Sequence, residues 1–317
     1  MDKDQKIRIG ISSCLLGNKV RYDGGHQHDR YLTRTLGDYF DYVPVCPEVE
    51  CGLPTPREAM RLVGDPESPR LVTRKTGIDH TDRMLTWAAK RVKELENDQL
   101  CGFIFKSKSP SSGMERVKVY DDKSNPRNVG VGLFAAAFKR NFPLLPTEEE
   151  GRLHDQRLRE NFIESVFVLK RWRDTRKKPS PAKIVRFHTE HKLLLRSHSE
   201  AHYRQLGKLV ANVGKQDLQT FLPKYEEQLM EAMRLKATTK KHTNILMHCL
   251  GHFKKDLTSG EKAEFLEILD EFKAGYLPLI VPITLMNHFV RKYDEQYLQS
   301  QHYLNPHPIE LKLRNHA

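Results

Sequence analysis

Lys6-Ile7-Arg8-Ile9-Gly10-Ile11-Ser12-Ser13-Cys14-Leu15-Leu16-Gly17 sets the pattern for the first half of the chain. Isoleucines at positions 7, 9 and 11, separated by charged or small residues, have the two-residue period of a strand. A polar, glycine-containing turn follows at once, with a cysteine in it. Tyr42-Val43-Pro44-Val45-Cys46 predicts a second strand, weakened or moved to an edge by Pro44. Cys101-Gly102-Phe103-Ile104-Phe105-Lys106 predicts a third. Helical spacing falls between and after them. It covers Arg30 to Phe40 (Leu32, Leu36, Tyr39, Phe40), Asp79 to Asn97 (Met84, Leu85, Trp87, Ala88, Val92, Leu95), and Gly132 to Phe142, stopped by Pro143. Strand–helix alternation predicts an α/β N-terminal domain with a mostly parallel, Rossmann-like sheet. Ligands of such sheets bind at the carboxyl ends of the strands.

The character changes from residue 147. Thr147-Glu148-Glu149-Glu150 reads as a helix start, because acidic residues suit a first turn. The helix is expected to run to about Trp172, with Phe162, Val166, Leu169 and Trp172 on one side. A basic run from Arg171 to Lys178 and the Pro179-Ser180-Pro181 linker follow. Beyond them the pattern is helical over 183–197, 199–212, 217–235, 239–256, 260–274 and 280–293, with no strand signal. The expected division is a domain over 1–146, a connecting helix and basic linker over 147–180, and an all-α helical domain over 181–317.

Bulk properties narrow the function. No apolar run approaches the roughly 20 residues of a membrane span. The mixed-charge start, Met1-Asp2-Lys3-Asp4-Gln5-Lys6, has no apolar signal core behind it, so a soluble cytoplasmic protein is expected. The net charge of +12 is unevenly spread: residues 151–317 hold 29 basic against 19 acidic residues, leaving 24 against 22 in the first 150. An anionic partner for the second half is the functional reading, nucleic acid first, with an ordinary solvated surface about as plausible.

Five cysteines (Cys14, Cys46, Cys51, Cys101, Cys249) include no CxxC pair, and no export signal supports a disulfide framework. Three stretches stand out, each following a predicted strand. They are Ile11-Ser12-Ser13-Cys14-Leu15-Leu16-Gly17, continuing to Asp23-Gly24-Gly25-His26; Val45-Cys46-Pro47-Glu48-Val49-Glu50-Cys51-Gly52-Leu53-Pro54-Thr55-Pro56-Arg57-Glu58; and Phe105-Lys106-Ser107-Lys108-Ser109-Pro110-Ser111-Ser112-Gly113. Cysteines just past two strand ends can reach one point above a sheet, and grouped thiolates suit soft metal chemistry. One buried cysteine alone would more often be packing, the reading given to Cys101 and Cys249.

These stretches resemble the signature of the thiouracil desulfidase (TudS) family. Arg186-Phe187-His188, His242-Thr243-Asn244-Ile245-Leu246, Gly251-His252-Phe253-Lys254-Lys255 and Leu277-Pro278-Leu279-Ile280-Val281-Pro282 resemble the helical YbgA-type domain. The fusion resembles the RudS architecture, which implies desulfuration of 4-thiouridine in tRNA by non-redox hydrolysis at a 4Fe-4S cluster held by three cysteines. Cys14 and Cys46 match two of those ligands, whereas Ser112 stands at the third. Three accounts of Ser112 stay open: an introduced or natural change with weakened cluster binding, substitution by Cys51, or no cluster; the first is preferred. The resemblance further implies Glu48 as the base and Ser109 in proton movement or pyrimidine binding. Ser13, Asp23, Lys106 and Lys108 are the candidate substrate contacts. The histidine pairs His198/His202 and His248/His252 have metal-ligand spacing, but without a third ligand they are assigned to a basic RNA-binding surface. Two alternatives remain: a desulfidase of free thiouracil or thiouridine nucleotides, and a cluster-free RNA-binding protein.

Overall fold

A computed structural model describes residues 6–315. The chain divides into two units, Met1–Asp155 and Gln156–Ala317. The first holds strands β1 (Ile7–Ser12), β2 (Phe40–Val45), β3 (Met60–Val63), β4 (Arg70–Thr73), β5 (Phe103–Phe105), β6 (Val117–Tyr120), β7 (Pro126–Gly130) and β8 (Thr147–Glu149). Its helices are α1 (Pro47–Glu50), α2 (Thr81–Glu96) and α3 (Leu133–Asn141).

The expected parallel sheet is there. Its order is β2-β1-β5-β8, every pairing parallel, with Ile7 to Ser12 in register with Phe40 to Val45. All four carboxyl ends therefore lie along one edge. Pro44 sits in β2, an edge strand, where a missing N–H costs little. Gly10 is required by packing: a Cβ there would come within 2.2 Å of the Phe103 ring. That ring lies 4.3 Å from Phe105 and 4.6 Å from Phe138, centroid to centroid, in an aromatic cluster that seats α3 on the sheet.

Two local expectations fail. Thr147-Glu148-Glu149 is β8, not a helix start, and the helix begins at Gln156. The cause is burial of all three glutamates with specific partners: Glu148 takes Arg152 Nε at 2.6 Å, Glu149 takes the Met114 N–H at 2.7 Å, and Glu150 takes the Ser107 N–H at 2.7 Å. These bonds outweigh the first-turn preference. Likewise, Arg30 to Phe40 is no regular helix but a π turn over Tyr31–Thr35 and a 3-10 turn over Leu36–Asp38. There the Asp29 carboxylate accepts from the Tyr31 and Leu32 amides.

A second sheet, of order β4-β3-β6-β7, was not expected from the sequence. Its inner face (Met60, Leu62, Val117, Val119) packs with Leu53, Leu71, Met84 and Leu133.

The second unit is helical: α4 (Gln156–Lys177), α5 (Pro181–His198), α6 (Glu200–Ala211), α7 (Leu218–Arg234), α8 (Thr239–Leu250), α9 (Ser259–Ala274), α10 (Ile280–Lys292) and the short α11 (Gln296–Gln299). Pro179-Ser180-Pro181 is a tight corner: Ser180 caps α5 by accepting the Lys183 N–H, and Pro181 occupies the first turn. Trp172 is fully buried against Tyr225, and its Nε1 donates to Glu226 at 2.9 Å.

Four histidines of this unit are core groups. His188, His191, His198 and His242 are buried, which corrects the assignment of His198 to a basic surface, whereas His248 and His252 are exposed. Burial pushes His188 down to about 4 and His302 to about 3, so neither carries charge at neutral pH. His198 Nδ1 faces the Leu235 carbonyl at 2.6 Å and its Nε2 faces Glu164 at 3.2 Å, away from His202. Among the described residues no group of three His, Cys, Asp or Glu side chains is placed to hold a metal ion.

Candidate active site at the carboxyl ends of the parallel strands

A cavity of about 320 Å³ opens at the carboxyl edge of the parallel sheet. Cys14 reaches it from the turn after β1 and Cys46 from the end of β2. Ser13, Glu48, Lys106, Lys108, Ser109 and Ser112 also line it. Of the expected site residues only Asp23 is absent from the lining. Its Oδ1 accepts the Gly25 N–H at 2.9 Å and lies 3.5 Å from Arg21, so its role is closure of the Asp-Gly-Gly turn.

Glu48 stands on α1, the single turn begun by Pro47 directly after Cys46. Its Oε1 accepts from Ser111 Oγ at 2.5 Å; its Oε2 lies 3.6 Å from Cys46 Sγ and 3.7 Å from Arg57. Ser111, a residue no sequence signal singled out, therefore fixes this carboxylate. Ser109 Oγ lies 3.0 Å from Ser111 Oγ and accepts the Ser112 N–H at 3.1 Å. A hydroxyl chain thus runs from Ser109 through Ser111 to Glu48.

The serine loop is clamped on α3, whose Leu133 and Phe134 amides donate to the Pro110 and Ser111 carbonyls. The clamp needs glycine at two places. A Cβ on Gly113 would sit 2.4 Å from Val117, and one on Gly132 2.5 Å from the Ser111 carbonyl.

Two of the cations that line the cavity, Lys106 and Arg57, are matched within the protein. Lys106 Nζ pairs with Glu150, which also accepts the Ser107 N–H and hydroxyl. Arg57 pairs with Glu48 and donates to the Val20 carbonyl at 3.0 Å. Burial pushes the Cys14 thiol up to about 11 and Cys46 up to about 12, against the smaller opposing effects of Lys106 and Arg57. Both are protonated thiols at neutral pH unless a bound cation takes the proton's place.

The donor set can be tested against an iron–sulfur cluster. Two thiols and the hydroxyl of Ser112, which is 3% exposed, face one cavity. Cys51 does not line it: its thiol donates to the Glu48 carbonyl at 3.2 Å and packs against the second core. Cys51 is thus no stand-in for a third thiolate. Cys14 and Cys46 fit a cluster, with Ser112 as a harder, weaker third donor.

An α/β unit with paired thiols, a positioned carboxylate and a serine relay at its strand ends defines the class of site. Residues 9–150 match the 2-thiouracil desulfurase family, and residues 192–308 match a family described as a protein of unknown function, DUF1722. The uncharacterized protein YbbK of Bacillus subtilis (strain 168) is 30% identical over 138 residues, covering 42% of this chain and 89% of YbbK. The uncharacterized protein YbgA of Escherichia coli (strain K12) is 29% identical over 133 residues, covering 42% of this chain and 79% of YbgA. A solved structure, the 4Fe-4S-dependent thiouracil desulfidase TudS, is 28% identical with a TM-score of 0.38, covering 47% of this chain and 95% of that one. The chain belongs to the 2-thiouracil desulfurase family through its first unit and carries a YbgA-like helical unit behind it.

Proposed function

We propose that this protein removes sulfur from a thiolated pyrimidine, with 4-thiouridine in tRNA as the substrate and uridine and hydrogen sulfide as products. One observation carries the reading: Cys14, Cys46 and Glu48 converge on one cavity at the ends of adjacent parallel strands. Cys14 and Cys46 would hold the cluster, with Ser112 at the third position. When bound, the cluster supplies a Lewis-acidic iron for the thiocarbonyl sulfur.

The chain's own residues do the rest. Glu48, its Oε1 engaged by Ser111, takes a proton from the water that attacks the sulfur-bearing ring carbon. Ser109 and Ser111 carry a proton between that carboxylate and the pyrimidine face of the cavity. Overall water adds, the C=S carbon becomes C=O, and sulfur leaves with two protons. The basic second half favours tRNA over the free base, since its cations offer phosphate contacts.

Ser112→Cys is the decisive test. Iron content after anaerobic reconstitution, and sulfur release from thiolated tRNA and from free 2-thiouracil, are both expected to rise. If neither iron nor desulfuration rises, the cluster assignment is wrong. Turnover of the free base alone would replace tRNA by the small molecule.

A further inference from the structure

The outer face of the second sheet has a composition that its inner face does not explain. In β3 and β6 the alternation sends Met60, Leu62, Val117 and Val119 inward, which turns Arg61, Lys118 and Tyr120 outward. These three line a groove of about 370 Å³ together with Arg74, Lys108 and Arg116. The groove and the active-site cavity share Met60, Arg74, Lys108 and Pro110 in their walls, so the two are continuous.

Among the described residues no acidic side chain lines this groove. Around the active-site cavity Lys106 and Arg57 are tied to Glu150 and Glu48. Of the five groove cations, by contrast, none has a salt bridge among the described residues. Of the carboxylates nearby in sequence, Glu58 accepts from Thr76 Oγ1 at 2.8 Å, Glu115 pairs with Arg152 at 2.5 Å, and Asp121 accepts the Lys123 N–H at 2.9 Å. Arg61 lays its guanidinium 5.0 Å from the Tyr120 ring centroid, while its buried Nε has no hydrogen-bond partner. Lys108 and Arg116 hold left-handed backbone, φ 59° and 52°, an uncommon state for such residues that is retained at functional sites more than elsewhere.

Unmatched cations beside a part-exposed aromatic ring on a sheet are the features that bind a single nucleic-acid strand: phosphates meet the charges and a base stacks on the ring. We infer that this groove holds the RNA strand flanking the thiolated nucleotide, while that base, out of its stack, enters the cavity. The inference rests on the desulfidase reading and adds to it. Substrate choice is built into the first unit and does not depend on the helical unit alone.

Arg116→Asn/Lys118→Gln is the test variant, because both positions are exposed, lie outside the cavity wall, and Asn tolerates the left-handed backbone. The probe is a single-stranded oligoribonucleotide containing one 4-thiouridine, with free 4-thiouracil and 4-thiouridine monophosphate as controls. KM for the oligonucleotide is expected to rise at least tenfold, with turnover of 4-thiouracil unchanged. The slope of log K against log salt should become shallower by about 1.4, about 0.7 for each phosphate no longer neutralised. An unchanged oligonucleotide KM would overturn the proposal, and so would an equal loss on the monophosphate, which would point to a single-phosphate subsite. If the wild-type protein desulfurates none of the three, the reaction assignment fails. Anisotropy titration of the oligonucleotide then still tests the groove: equal affinity of wild type and variant rejects it, and a tenfold loss with the shallower slope upholds it.

Discussion

Both units bury ionisable side chains, but with opposite partners. In the helical unit Arg314, 2% exposed, lies 3.2 Å from Glu160 and 2.5 Å from Glu164, whose other oxygen lies 3.2 Å from His198. Burial acts to raise the Glu164 carboxyl, but Arg314 and His198 outweigh it and hold it well below the usual range. Glu160, buried beside the like charge of Glu164, is pushed up to about 7. At the strand ends of the first unit, Cys14 and Cys46 are pushed up by burial, and the nearby Lys106 and Arg57 are committed to carboxylates. The helical cluster settles its charges internally and so serves the fold. The thiols have no such charged partner, and in the function proposed above a bound metal would take that place.

Substitution on either side tests this contrast. The largest effect is expected from Glu48→Gln, which keeps the shape but cannot accept a proton. The value of kcat should fall by about 10²- to 10⁴-fold, with iron content unchanged. Activity within threefold of wild type would remove Glu48 from the chemistry. Next is Arg314→Ala, which leaves two carboxylates without their cation. Breaking a buried pair from one side costs about 3–5 kcal/mol, so urea unfolding of the helical unit should shift by that order while iron binding at Cys14 and Cys46 persists. A variant as stable as wild type would show that the cluster contributes little to the fold.

The smallest effect concerns pH. Glu160 has its value raised in the folded state from an ordinary 4.5 to about 7. The folded chain therefore keeps a proton that the unfolded chain releases, and its contribution to stability is full below about 4.5 and declines as pH rises toward 7. Glu160→Gln stays neutral and should flatten that part of the stability–pH curve. A slope identical to wild type would assign it to another group.

Much of the site was legible because its parts are local. Cys14 and Cys46 each follow a strand directly, and Glu48 lies two residues past Cys46, so strand periodicity brought all three to one edge. Ser111 was not legible, since Ser109-Pro110-Ser111-Ser112 offers three equivalent hydroxyls and only the clamp on α3 decides which meets Glu48. Asp23, expected as a substrate contact, lies outside the cavity lining and closes its own turn, a place that Asp-Gly-Gly alone does not reveal. His198 was misjudged for a related reason: spacing along a helix does not tell which side of it is covered.

The second sheet escaped notice because its strands are only four or five residues long and carry Arg61, Lys118 and Arg127 among few apolar positions. By itself the sequence determined the parallel α/β unit, the helical unit, and the two cysteines with Glu48 at the strand ends. Those features depend on the period of the hydrophobic residues and on short spacings, which the order of residues states directly. Only the tertiary structure decided that Glu148 and Glu149 belong to a strand, that Ser111 holds Glu48, that Cys51 turns away, and that five unmatched cations share a groove. Most of these depend on groups distant in the chain, and charge pairing or its lack exists only once both partners have a place in space.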